Sequence, residues 1–259
     1  GLPEGATLYV ANSMAIREID LFASPRAATL RVLANRGVNG IDGQVSAALG
    51  AAAALRRPTV LWCGDLALLH DVSGLLAGRM HGGDLTIVVS NDDGGGIFEY
   101  LPAARLVSRP VFEDLFAVPH GLDLCDLARG LGWEAVRVDS AASFTEALAR
   151  ALVGGRHVIE VTIDRAVNTA FHASIHQRVR DLPIGSAARF EALRDGKPKA
   201  FELSLAESPV NTSGLRTLAL TRLRAQLREL GFYDRAAQRL PAEQAGVVVD
   251  GVEAGGVEG

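Results

Sequence analysis

Over its first two thirds the chain alternates short, strand-like runs with stretches of helical spacing. The runs at 7–11, 29–33, 58–63, 84–90, 134–138 and 157–162 have strand length and are bounded by turn-forming residues. Between them, Gln44 to Ala54, Leu122 to Leu131 and Ser143 to Leu152 place apolar residues three and four apart, as a helix with one buried face requires. Alternation of this kind predicts an α/β fold: a parallel sheet with helices on both faces. Residues 91–120 form a long connection marked by glycine and proline, a length that is unusual unless the segment has work to do.

The rhythm stops near Ile184, so the chain is expected to divide into a domain over 1–185 and a tail over 186–259. Within the tail, Lys197 to Ser213 reads as loop or at most one strand. Leu215, Leu218, Leu220, Leu223 and Leu227 make an apolar stripe that predicts one helix over 214–230, a packing face rather than a membrane-surface helix. After Pro241 the Gly, Val and Glu-rich sequence predicts disorder, and nothing in the tail assigns it a role.

Two strand ends carry the chemistry. The run to Cys63 ends on Gly64-Asp65, and the run to Ser90 ends on Asn91-Asp92-Asp93 followed by Gly94-Gly95-Gly96. In an open parallel sheet such ends line the crevice where ligands bind. Asp65, Asp92 and a carbonyl of the glycine run offer hard oxygen ligands, which suit magnesium holding a diphosphate. The glycines let backbone approach a ligand more closely than side chains permit. Either element alone is common in α/β proteins; together, after two buried-type strands, they point to a site.

This arrangement resembles the thiamine-diphosphate motif, and further blocks are similar to one family that carries it. Asn12 to Arg17 (NSMAIR), Ala34 to Gly43 (ANRGVNGIDG) and Gly95 to Phe98 (GGIF) resemble the C-terminal domain of the 2-succinyl-5-enolpyruvyl-6-hydroxy-3-cyclohexene-1-carboxylate (SEPHCHC) synthases of menaquinone and phylloquinone synthesis. The resemblance runs from about residue 7 to about 180, ending near Arg165 to Asn168 and the histidines beyond; NRG-x-x-GIDG is its most specific piece.

The resemblance implies a thiamine-diphosphate enzyme that decarboxylates 2-oxoglutarate and transfers the succinyl-semialdehyde carbanion to isochorismate, with magnesium (or manganese) held by Asp65, Asp92 and the carbonyl of Gly94. Arg17 and Arg36 would pair with substrate carboxylates through their planar forks, with Asn12 and Ser13 as neutral donors. Ile41 would prop the cofactor into its bent shape, and Ile97, Phe98 and Leu101 would wall the reacting carbon; Ile41 and Phe98 stand nearest the chemistry. Asn39, Gly40 and Gly95 complete the implied cofactor contacts, and Leu66 and Ala67 would lend backbone N–H groups to the diphosphate at a helix start. As plain residues, Ile41 reads equally as core and the apolar three as loop anchors.

Two departures stand out. Asp92 occupies a ligand position usually taken by Asn, which adds a negative charge beside Asp65. The glutamate that activates the cofactor belongs, in this family, to a separate pyrimidine-binding domain, usually of a partner subunit, and no residues here resemble that domain. The chain is therefore expected to be a piece of a longer, homo-oligomeric protein, inactive alone. Alternatives are another thiamine-diphosphate carboligase or decarboxylase, or a non-catalytic remnant serving as an interaction module.

Composition narrows the field without naming a function. With 26 basic and 30 acidic residues the net charge is −4, so no nucleic-acid footprint appears. Cys63 and Cys125 lack disulfide or zinc spacing, which fits a reducing compartment, the cytoplasm or a plastid. His172 and His176 stand four apart but read as polarity on a helix face, and His120, in the turn Pro119-His120-Gly121, is a candidate neighbour of the site without further support. No run reaches transmembrane length, and no signal-peptide pattern opens the chain.

Overall fold

The computed structural model describes residues 2–23, 30–35, 40–81 and 83–180, and beyond them the strands at 187–194, 197–204, 217–220, 225–229 and 247–252. The chain divides into two compact units, the first comprising 1–182 and 190–201. In it the order is β1 (Thr7–Val10), α1 (Met14–Phe22), β2 (Arg31–Ala34), α2 (Gln44–Leu55), β3 (Thr59–Gly64), α3 (Asp65–His70), α4 (Val72–His81) and β4 (Leu85–Asn91). There follow a 3-10 turn (Gly96–Tyr100), α5 (Ala103–Leu106), α6 (Arg109–Phe112), a π-helical turn (Glu113–Ala117), α7 (Leu124–Gly130), β5 (Glu134–Val138), α8 (Ala141–Ala151), β6 (Arg156–Thr162) and α9 (Arg165–Arg180).

Six strands form one parallel sheet in the order β2-β1-β3-β4-β6-β5. The continuous apolar runs have a simple cause. The central strands β3 and β4 are covered on both faces, so inward and outward positions are equally apolar. Leu61, Cys63, Ile87, Val89 and Val158 pack on one side with Val45, Leu49, Leu75, Leu124 and Trp133 of the helical layer. Val60, Val88 and Ile159 pack on the other with Leu148 and Phe144 of α8. The edge strands β2 and β5 are half or more exposed, as the order demands.

The layers approach closely where glycine allows it. A Cβ on Gly74 of α4 would lie 2.8 Å from Val45 Cβ, and one on Gly78 would lie 2.7 Å from the Trp133 ring. Trp133 is in turn fixed by its indole N–H donating to Leu75 O at 2.8 Å. From β1 the chain runs outward to β2 and then returns to β3 on the other side, so the connections leaving the carboxyl ends of β1 and β3 lead to opposite sides. That switch point is where α/β sheets open a crevice, and it places Asn12-Ser13 opposite Gly64-Asp65.

Two expectations for the tail are corrected. In place of one helix over 214–230 there are two strands, β9 (Thr217–Leu220) and β10 (Ala225–Glu229), and the stretch expected to be disordered contains β11 (Val247–Val252). These pair antiparallel in the order β11-β10-β9. The β-branched run of β11 supplies a partner ladder, and non-local pairing overrides a local leucine stripe. Two further strands, β7 (Ala187–Arg194) and β8 (Lys197–Ser204), pair with each other.

Candidate active site

Four segments meet at the carboxyl edge of the sheet: 12–18 after β1, 40–41 before α2, 64–67 after β3, and 92–98 after β4. They enclose a cavity of about 130 Å³ whose lining includes Ser13, Ile41, Asp65, Asp92, Gly94 and Phe98. An adjoining cleft of about 440 Å³ is lined by Arg17, Tyr100, Leu101 and His172 and shares Met14, Ile97 and Phe98 with the cavity.

Each residue of the loop after β4 has a separate fixture. Asn91 turns inward, donating from Nδ2 to the buried carboxylate of Glu160 at 2.7 Å, while its Oδ1 accepts the Asp93 N–H at 3.0 Å. Asp92 therefore, not Asn91, faces the cavity. Asp93 Oδ1 accepts the N–H groups of His120 and Gly121 at 3.0 and 2.8 Å. Gly94 N–H donates to Asp65 Oδ2 at 2.7 Å, which ties the two strand ends together. The glycines are required here: Gly94 has φ +132°, and a Cβ on it would fall 2.1 Å from Ala117 O; one on Gly96 would fall 1.8 Å from Asp92 Oδ2.

Asp65 is 2% exposed. Burial raises its pKa, against the pull of the Gly94 and Leu66 amides and of His120. His120 is oriented by the chain: its Nδ1 accepts the Leu122 N–H at 3.0 Å, leaving the Nε2 proton for Asp65 Oδ2 at 3.2 Å. Asp92 is pushed up to about 7 by burial and then by the charge of Asp65, with Arg165 opposing. A buried and a half-buried carboxylate repelling across one cavity form a site whose charge a divalent cation would satisfy. The all-oxygen donor set with glycine backbone beside it fits magnesium. Backbone strain gathers at the same place: Ser13 (φ 68°), Asp93 (φ 56°) and Val118 (φ 49°) hold left-handed conformations around the cavity.

The structure thus brings together Ser13, Ile41, Asp65, Leu66, Ala67, Asp92, Gly94, Gly95, Ile97 and Phe98, with Arg17 and Leu101 in the adjoining cleft. Arg17 lies along α1 with Nη1 donating to Ser13 O at 2.6 Å. Asn12 is buried behind the cavity and donates to Gly40 O at 2.5 Å, so it braces the 40–41 segment. The Leu66 N–H is engaged by its own neighbour's Asp65 Oδ1 at 2.6 Å rather than left open. Arg36 and Asn39 lie outside the described residues, as does the His176 side chain. His172 is buried, its ring edge-on to Phe22, Tyr100 and Phe171.

Sequence reasoning missed two residues here, Glu18 and Arg165. Glu18, 8% exposed in the cavity wall and raised in pKa by burial, was legible as a charge on the apolar face of α1, three residues from buried Ala15. Arg165 stands just past the end of β6, where a crevice residue is expected. His120, which the sequence offered only as a turn residue near the site, reaches Asp65. A second group of ligand-type side chains, Asp123, Cys125 and Glu160, lies elsewhere. Arg137 is 3.0 Å from both carboxylates and already supplies its cation, and the Cys125 thiol is pushed up to about 12 by burial and Glu160.

Residues 21–161 match the family model described as thiamine pyrophosphate enzyme, C-terminal TPP binding domain. The chain belongs to that family. A solved structure, benzoylformate decarboxylase from Polynucleobacter necessarius, shares the fold at TM-score 0.50 and 20% identity, over 64% of this chain and 31% of that one. Among curated relatives, the SEPHCHC synthase of Myxococcus xanthus is 47% identical over 178 residues, 69% of this chain and 30% of the relative. That of Chloroflexus aurantiacus is 48% identical over 182 residues (67% and 29%), and that of Halobacterium salinarum 45% over 186 (71% and 31%). The chain thus spans somewhat under a third of the length of these relatives. No helix among the described residues is long and apolar enough to cross a membrane.

Proposed function

We propose that this chain is the diphosphate- and metal-binding part of a SEPHCHC synthase, acting on 2-oxoglutarate and isochorismate when joined to a pyrimidine-binding domain. The observation that carries the reading is a pair of carboxylates, Asp65 buried and Asp92 half-buried, brought by two adjacent strand ends to one glycine-lined cavity beside an arginine-bearing cleft. Relatives bearing that enzyme's name at 45–48% identity support it.

Asp65, Asp92 and the carbonyl of Gly94 would hold magnesium, and through it the diphosphate. Thiamine diphosphate supplies the electron sink through which a 2-oxo acid loses carbon dioxide and bonds to an acceptor. The protein's part is placement. Asp65 is locked by the Gly94 amide and by His120, so a metal ligand need not be reorganised on binding. Ile41 from one side and Ile97 and Phe98 from the other give the cavity an apolar wall that excludes water from the reacting carbon. Arg17 offers a guanidinium to a substrate carboxylate at the mouth of the cleft, with Ser13 beside it. The activating glutamate would come from the pyrimidine-binding domain, and the full-length protein would be a homo-oligomer in the cytoplasm or a plastid.

The test is reconstitution. Mixed with the separately produced pyrimidine-binding part of the Myxococcus relative, the chain is expected to release carbon dioxide from 2-oxoglutarate and to consume isochorismate. Folded, associated protein that turns over pyruvate or benzoylformate but not 2-oxoglutarate would overturn the substrate assignment.

A further inference from the structure

One guanidinium touches both the metal loop and the segment that covers it. Arg165, at the start of α9 and with its side chain only 13% exposed, donates from Nε to Asp92 O at 3.1 Å and from Nη2 to Asp93 O. Its remaining nitrogen, Nη1, donates to Glu113 Oε2 at 3.0 Å and lies 3.9 Å from Glu99 Oε1. Those two carboxylates belong to the 96–117 segment, which carries Ile97, Phe98 and Leu101. Within that segment Arg109 closes the network, forking onto Glu99 at 2.7 and 3.0 Å and pairing with Glu113. The segment is internally packed: Phe98 and Phe112 both pack on Phe116, and Gly95 N–H donates to Ala117 O.

Arg165 therefore has two jobs that a simple surface ion pair would not combine. On one side it holds two consecutive backbone carbonyls immediately before the Gly94 ligand and draws down the pKa of Asp92. On the other it holds the acidic residues of the cover. A planar fork with fixed donors transmits position between such partners as a flexible ammonium would not. We propose that Arg165 is a positioning residue that couples occupancy of the Asp65–Asp92 metal loop to the placement of the 96–117 cover. This rests on the proposed cofactor site. Binding of metal and diphosphate firms the carbonyls, Arg165 follows, and Glu113 and Glu99 bring the apolar wall to the reacting carbon.

The experiment is hydrogen exchange of the full chain, with and without thiamine diphosphate and magnesium, in wild type, Arg165→Met and Glu113→Gln. Calorimetry on the same samples records whether ligand binds. Wild type is expected to slow exchange over 96–117 by about fivefold or more on binding. Arg165→Met should bind more weakly yet measurably, with the cover's exchange unchanged by ligand. Glu113→Gln should keep protection of 91–95 and lose most of that over 96–117. Exchange over β3 and β4 reports whether each variant is folded, and a variant that loses that protection is replaced by Arg165→Lys, expected to bind with reduced coupling. Ligand-induced slowing that is undiminished in these variants overturns the coupling and leaves the cofactor reading intact. Absence of magnesium-dependent binding in wild type, even with the pyrimidine-binding domain supplied, overturns both.

Discussion

Asp92 carries the clearest residue-scale consequence. Its folded pKa of about 7 stands above the ordinary carboxylate value, so between roughly pH 4 and 7 the folded chain holds a proton that the unfolded chain releases. Without metal, stability should therefore fall as pH rises through that window. Asp92→Asn removes both the half-buried charge and its repulsion with Asp65. Thermal unfolding in chelator should show a falling melting temperature from pH 4 to 7 in wild type and a markedly flatter profile in the variant; parallel profiles would refute the assigned cause. Gly96→Ala probes the same carboxylate from outside, since the added carbon would meet Asp92 Oδ2 at 1.8 Å. Displacing it should weaken magnesium-dependent cofactor binding about tenfold or more, as disturbed ligand supports do, with little change in far-ultraviolet circular dichroism. At this scale the site was half legible. Asp65, Asp92 and the glycines announce themselves because they follow buried strands. His120 and Arg165 reach the loop from residues 55 and 73 positions away from their hydrogen-bond partners, and no local pattern encodes that meeting.

Among the elements, α4 tests the packing account. Ala is a better helix former than Gly by about 1 kcal/mol, so Gly74→Ala would stabilise a free helix. Here the new carbon lies 2.8 Å from Val45 and 3.1 Å from the Ser46 amide, which also donates to Asp71. Overpacking costs of about 1–3 kcal/mol should win. Urea unfolding should show net destabilisation of about 1 kcal/mol, and a stabilised variant would mean that α2 and α4 are not held as described. The strands over 7–10, 59–64, 85–91, 134–138 and 156–162 were readable from the sequence to within a residue or so at each end; for the central strands 59–64 and 85–91 the reason is that two-sided burial leaves a nearly uninterrupted apolar run. The leucines of 215–227 misled for the opposite reason. Their spacing satisfies a helix, and only pairing with Val247–Val252, distant in sequence, reveals strands.

For the whole molecule, the parallel sheet brings its ligand groups to one edge, so the cofactor site depends on β1, β3, β4 and β6 being assembled together. Ligand binding should accordingly stabilise the fold as a unit: at a hundredfold excess over Kd, thiamine diphosphate with magnesium should add about 2.7 kcal/mol, read as a raised melting temperature that chelator abolishes. A rise that survives chelation would place the ligand elsewhere. The central claim is that Asp65 and Asp92 hold a diphosphate through a metal. Calorimetric titration of the chain with thiamine diphosphate, in magnesium and then in chelator, tests it most directly, with Asp65→Ala alongside. Magnesium-dependent binding that disappears in Asp65→Ala is the predicted result. Binding indifferent to chelator and to that substitution, or no binding even with the pyrimidine-binding domain supplied, would contradict the account.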